Sequence, residues 1–223
     1  MNAATGLRTG LRDYAFRSVQ SLVVWAMLVG VLYIAWRPAL WLPHLWMLFG
    51  VTFLANVLQP SYKPFEGSRT ADDNGTAAQI LWTVALAQCA ALLELLYFKP
   101  AITLDAVSWA AFALMVGGLA LRTWAVYTLG RYFTWNVEVQ SDQPVIESGP
   151  YRFVRHPSYT GALITYVFVP VFLHSWIAAI AGLIALPAAF ARRIRHEERL
   201  LRDTLPGYSS YIDRTGALFP KLP

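Results

Sequence analysis

The sequence predicts an all-α integral membrane protein, with four transmembrane helices followed by a C-terminal helical hairpin that also sits in the membrane. Composition is the first reason. Of 223 residues, 57% are hydrophobic and only 14% charged, against roughly 25% charged in an average soluble domain, and mean hydropathy is +0.43. A soluble globule of this size has too little interior to hide so much apolar surface, so the bilayer is the expected solvent. The second reason is a set of four apolar runs long enough to cross. The third is a final run too long for one crossing and followed by arginines.

A crossing takes about 20 largely apolar residues. Residues 18–36, 39–58, 77–98 and 104–129 meet that length. The second run is the weakest, because Pro43 and His44 stand near its start. Short proline-marked turns, Arg37-Pro38 and Lys99-Pro100, close the first and third runs. The longer polar loop 59–76 ends in Asp72-Asp73-Asn74-Gly75-Thr76, a capping stretch for the third helix. No small-residue cleavage site follows the first run, so it reads as a retained span rather than a secretory signal. The four spans lack the polar, broken helices of transporters, and no internal repeat is visible.

Charge sets the expected orientation. Arg8, Arg12 and Arg17 precede the first run, Lys63 and Arg69 lie in the second loop, and Arg131, Arg152 and Arg155 follow the fourth run. The other side holds only Arg37 and Lys99. By the positive-inside rule the N-terminus and residues 131–157 are cytoplasmic. The net charge of +5 is therefore read as a topology signal, and no nucleic-acid partner is expected. Single Cys89, inside an apolar segment, allows neither a disulfide framework nor a cysteine-based zinc site. No metal is expected.

The last apolar stretch, 158–191, runs for about 34 residues, well past one crossing. A single span would put Arg192, Arg193, Arg195, Arg199 and Arg202 outside, against the charge rule. Pro170 and His174-Ser175 divide it. It is therefore read as a hairpin that turns near His174 and returns, bringing 149–159 beside 192–198.

Two polar clusters become neighbours in this arrangement. In the first, Gly149-Pro150 makes a tight turn and Pro157 starts a helix, where its missing N–H costs nothing. Tyr151, Phe153 and Tyr159 supply aromatic faces that attract a cation. In the second, Arg193 and Glu197 share a helix face, four residues apart, and Glu198 lies on another side.

The run Gly149-Pro150-Tyr151-Arg152 … Arg155-His156-Pro157-Ser158-Tyr159 … Gly161, then Glu197-Glu198-x-x-Leu201 and Gly207 … Tyr211 … Arg214 … Pro220, resembles the isoprenylcysteine carboxyl methyltransferase family and the related phospholipid N-methyltransferases. The similarity covers roughly residues 128–220. The resemblance implies one membrane domain, with a four-span part (1–129) and a catalytic, cofactor-binding region (130–223) at the cytoplasmic face. It implies S-adenosylmethionine as cofactor. Cofactor contacts would fall on Gln143, Pro144, Val145, Ile146, Tyr151, His156, Pro157, Ser158, Tyr159 and Glu197, and the substrate-side arginine on Arg193. Arg193 and Glu197 would be the catalytic pair. The family usually has histidine where this chain has Gln143, and its upstream glutamine matches Asn136 or Gln140 equally.

The expected reaction is methylation of a lipid-like or prenylated acceptor from the bilayer, a carboxylate as in isoprenylcysteine O-methylation. A phospholipid amine and a small thiol stay open as acceptors, and an NADPH-dependent membrane reductase is a remoter alternative, since sterol reductases look similar here. Arginine outnumbers lysine and alanine is abundant, as in a GC-rich bacterial genome, which places the chain in a bacterial inner membrane with both termini cytoplasmic. Plainer readings stand beside these. Arg193 and Glu197 also suit an ordinary surface ion pair, and the tyrosines an interfacial belt. Arg122 is expected to snorkel from the fourth span, Glu94 to lie near the outer boundary, Trp135 to stand beside the site, and Arg192, Arg195, Arg199 and Arg202 to meet headgroups.

Overall fold

Proline, glycine and one aspartate place most helix starts. The computed structural model describes residues 3–59, 74–99, 102–135, 137 and 139–221. Lys63, Arg69, Asp72, Asp73, Pro100 and Asn136 lie outside the described residues, as do the side chains of Arg8, Arg12 and Arg17. The chain order is α1 (Ala3–Ala35), α2 (Pro43–Leu58), α3 (Thr76–Phe98), α4 (Ala106–Leu129), α5 (Pro157–Phe172), α6 (Trp176–Thr204) and α7 (Tyr208–Arg214). Among the described residues there is no strand; a single parallel bridge joins Val154 to Gly216.

The predicted second run is split. Residues Arg37–Trp41 form a 3-10 turn, and α2 restarts with Pro43 in its first turn. That leaves 16 residues, about 24 Å of helix, short of a full crossing. Gly75, at φ 70, precedes α3, and Lys99, at φ 44, ends it. At α4 the side chain of Asp105 accepts from the Ser108 amide at 2.8 Å, a cap that the apolar run beginning at residue 104 concealed.

The hairpin is present. His174, at φ 55, turns the chain between α5 and α6. Ser175 Oγ donates to Ala91 O at 2.8 Å, pinning the turn to α3. Glu94 is a cap supplied from another helix: its two carboxylate oxygens accept from the amides of Ile177 and Ala178 at 3.1 and 2.8 Å. A carboxylate there meets the positive end of α6. Pro170 has no N–H for the Tyr166 carbonyl one turn back, and Gln88 Nε2 donates to that carbonyl instead, at 3.3 Å. Near the same end of the bundle, Ser108 Oγ lies 3.0 Å from both His44 Nε2 and His174 Nε2, joining three helix ends.

Helices α4 and α5 pack backbone to backbone at Gly118 and Gly161. A Cβ on Gly118 would lie 2.6 Å from both Gly161 O and Thr165 Oγ1. Small residues at a crossing permit this approach, where dispersion rather than water drives association. Elsewhere the helices present apolar side chains outward: Trp82 is 70% and Ile184 69% exposed. Four helical segments, Ser18–Ala35, Thr76–Phe98, Ala106–Tyr132 and Trp176–Thr204, are long and apolar enough to cross a membrane. The chain is an integral membrane protein.

Candidate active site

The two ends of the hairpin meet, and the C-terminal segment closes over them. Gly149 starts a 3-10 turn at φ 57, and a Cβ there would lie 2.9 Å from Thr128 Oγ1, so both conformation and space favour glycine. The turn buries Tyr151, whose carbonyl accepts from the Tyr211 hydroxyl at 2.6 Å. Beyond it, the amides of Arg155 and His156 donate to Gly216 O and Ala217 O at 2.9 and 3.0 Å. Pro157 then begins α5 with His156 as N-cap.

The adjacent glutamates divide. Glu198 Oε1 accepts from Arg155 Nε at 2.7 Å and sits 3.1 Å from His156 Nε2. Because a carboxylate only accepts, that imidazole nitrogen carries the proton. Arg155 also donates to the carbonyls of Ile212 and Thr215, so one guanidinium ties α5, α6 and the C-terminal segment together. Glu197 faces the other way. Its Oε2 accepts from the Tyr159 hydroxyl at 2.6 Å, and the same hydroxyl accepts from Arg193 Nε at 3.2 Å. Arg193 and Glu197 thus communicate through Tyr159. Arg193 is 3% exposed, with Nη1 on Thr76 Oγ1 at 2.9 Å and Nη2 on Trp135 O at 2.6 Å. The His156 and Tyr159 rings stack 5.4 Å apart, 7° from parallel.

These groups open on one cleft of about 1400 Å³, counting its mouth. Ten of the expected site residues lie on its wall: Gln143, Pro144, Val145, Ile146, Tyr151, His156, Ser158, Tyr159, Arg193 and Glu197. Pro157 does not. It is fully buried in the first turn of α5, where its fixed φ starts the helix. Gln143 turns back on its own backbone, with Oε1 accepting from the Gln140 amide at 3.0 Å, and Gln140 Nε2 donates to Arg131 O at 2.8 Å. The lining also includes apolar side chains: Ile80, Leu81 and Val84 from α3, with Phe190 from α6.

Electrostatics keep the buried phenols neutral. Burial pushes Tyr151 and Tyr208 upward, helped by the nearby glutamate charges. Burial, with Glu147 adding to it, pushes Tyr211 up to about 12.

Sequence reasoning missed several participants. Arg122 does not snorkel. It is 7% exposed and on the cleft wall, donating from Nε to Gln59 Oε1 at 2.6 Å and from Nη1 to Ser158 O at 3.2 Å. Its signal was the cost of a charge inside an apolar run. Arg155 looked like a topology residue and is a part-buried tie. Arg192 meets protein, donating to Gln79 Oε1 and, at 3.0 Å, to Asn74 O. Trp135 stands on the cleft wall, as expected.

A helical membrane domain with a cleft that carries both buried charged residues and apolar ones suits an intramembrane enzyme. The model of the isoprenylcysteine carboxyl methyltransferase family matches residues 110–203. A rice protein (Oryza sativa subsp. indica) described as "Probable protein-S-isoprenylcysteine O-methyltransferase" is 32% identical over 142 residues, 62% of this chain and 74% of that protein. Protein-S-isoprenylcysteine O-methyltransferase B of Arabidopsis thaliana is 36% identical over 91 residues, 40% of this chain and 46% of that protein. The solved structure of a eukaryotic intramembrane Ras methyltransferase of this family superposes with a TM-score of 0.62 at 22% identity, covering 99% of this chain and 87% of that one. The chain belongs to the isoprenylcysteine carboxyl methyltransferase family and is a membrane methyltransferase.

Proposed function

We propose that this chain transfers the methyl group of S-adenosylmethionine to a carboxylate on a lipid-like acceptor drawn from the bilayer, as the names of its relatives describe for isoprenylcysteine. One observation carries the reading: one cleft is lined both by Arg193 and Glu197 and by apolar side chains of α3. The cleft takes walls from α3 and α4 as well as from residues 130–223, which supports reading the chain as one domain.

Methyl transfer from a sulfonium is an in-line displacement, so the protein's contribution is positioning and exclusion of water. S-adenosylmethionine supplies the activated methyl group. The residues present fit it. Tyr151 and the stacked His156 and Tyr159 offer aromatic faces suited to a sulfonium cation. Glu197, an acceptor only, suits hydroxyl or amine donors, and residues 143–146 form the rim. Arg193, steadied by Tyr159, Thr76 and Trp135, suits a carboxylate, which it grips with paired N–H groups. A carboxylate is already a nucleophile and requires no base. An amine must first lose a proton, and two buried arginines on the wall, Arg122 and Arg193, disfavour a cationic acceptor. Family membership sets the reductase reading aside.

Arg193→Ala is expected to raise the acceptor KM or lower kcat about tenfold or more, with cofactor affinity kept. Calorimetry with S-adenosylhomocysteine checks it, and lost cofactor affinity contradicts the role. Glu197→Ala should weaken that affinity first, by a similar factor, with the acceptor KM little changed. Labelled S-adenosylmethionine offered to host lipid extracts, small thiols and farnesylcysteine, with product identification, tests the function. Labelled amine lipid with unlabelled acids would overturn the carboxylate reading. The expected setting is a bacterial inner membrane with both termini cytoplasmic, which cysteine labelling of the C-terminal segment tests.

A further inference from the structure

Four arginines near the end of α6 stay outside the cleft: Arg192, Arg195, Arg199 and Arg202. They recur every three or four residues, so they share one helix face. At about 100° per residue, that face is turned roughly 200° from Arg193 and Glu197, which line the cleft. All four are exposed, whereas Arg193 is buried. Protein already occupies Arg192, through Gln79 Oε1 and Asn74 O. Arg202 meets Glu198 Oε2 only at 3.9 Å, and that carboxylate is held by Arg155 and His156. Arg195 and Arg199 have no hydrogen-bond or ion-pair partner among the described residues. Asp203, one turn beyond Arg199, forms no ion pair with it. Like charges one turn apart repel, so the face is matched to an anion from outside the chain.

Position along α6 decides which anion. The helix is apolar from Trp176 to Ala191, and the arginines follow directly. At about 1.5 Å per residue, Trp176 to Arg202 measures about 40 Å, the thickness of a bilayer with its headgroup layers. Arg195 and Arg199 therefore stand at the level of lipid phosphates. We propose that Arg195, Arg199 and Arg202 form a binding surface for anionic phospholipid headgroups, selective against zwitterionic ones. A guanidinium grips phosphate oxygens with paired N–H groups, and only an anionic headgroup brings the net charge that offsets the three cations. The surface stands apart from the methyltransferase reading. It bears on the cleft all the same, because headgroups would hold from outside the rotation of α6 that Tyr159 and Arg155 hold from within.

Native mass spectrometry of the purified, full-length protein tests this, with phosphatidylglycerol and phosphatidylcholine of the same acyl chains added in detergent. Wild type should retain phosphatidylglycerol about tenfold or more in preference, and the preference should shrink as salt rises. The double variant Arg195→Gln/Arg199→Gln should lose most of it, and Arg195→Lys/Arg199→Lys, which keeps the charge, should keep part. Should the double glutamine variant fail to fold, each single substitution is expected to lose a share. Equal retention of the two lipids by wild type, or an unchanged preference in the glutamine variants, overturns the proposal. So does a wild type that binds a polyglutamate peptide while treating the lipids alike, which would assign the face to an acidic protein.

Discussion

Glu198→Ala should lose about 3–5 kcal/mol of stability, and Glu197→Ala, one residue away, far less. Glu198 is the common partner of Arg155 and His156, with side chains only 12%, 10% and 4% exposed. Removing the carboxylate leaves a guanidinium that cannot discharge itself and an imidazole N–H without its acceptor, both out of water. The loss spreads, because Arg155 also holds the carbonyls of Ile212 and Thr215, and the neighbouring amides hold Gly216 and Ala217. The expected readout in detergent or nanodiscs is a melting temperature lower by roughly 10 °C, with early proteolysis after residue 204. Glu198→Gln keeps one acceptor and loses the charge, so it should fall between. A Glu198→Ala protein that melts like wild type but has lost cofactor affinity would reverse the roles assigned to the two glutamates.

Gly161→Ala should also destabilise, by less and for a different reason. The added Cβ would stand 2.7 Å from the Arg122 amide nitrogen and closer still to the Gly118 carbonyl. Both are backbone atoms, so no rotamer relieves the clash and α5 must move away from α4. Overpacking of this kind costs about 1–3 kcal/mol, and a larger residue such as leucine costs more. The site should suffer with it, because Arg122 reaches Ser158 O across this crossing at 3.2 Å. Gly117→Ala is the control: nothing lies within 4 Å of a Cβ there, and alanine favours helix by up to about 1 kcal/mol over glycine. Equal melting temperatures for the two variants would show that the close approach is not required.

How much of this was legible beforehand depends on the range of the interaction involved. The spans at 77–98 and 104–129, the turn at His174 and the helix start at Pro157 were readable because hydropathy, chain length and proline act over a few residues. The hairpin needed one further step, the conflict between the arginines after residue 191 and the charge rule. By contrast, the break before α2 was hidden in a continuous apolar run, and Glu94 looked like a boundary charge until its partners on α6 were visible. Arg122 was recognisable as expensive, but Gln59, Trp135 and Ser158 come to it from three other parts of the chain.

The sequence by itself determined the membrane class and the doubling back of the last apolar stretch, and it singled out ten of the residues that line the cleft. Those follow from transfer free energy and local backbone chemistry. Neighbouring helix positions point about 100° apart, so it also separated Glu197 from Glu198. Only the tertiary structure decided which of them meets the cleft and which the frame. That choice is made by Tyr159 and Arg155, about 40 residues away in the chain, and by the rotation of α6 against α5 that packing imposes.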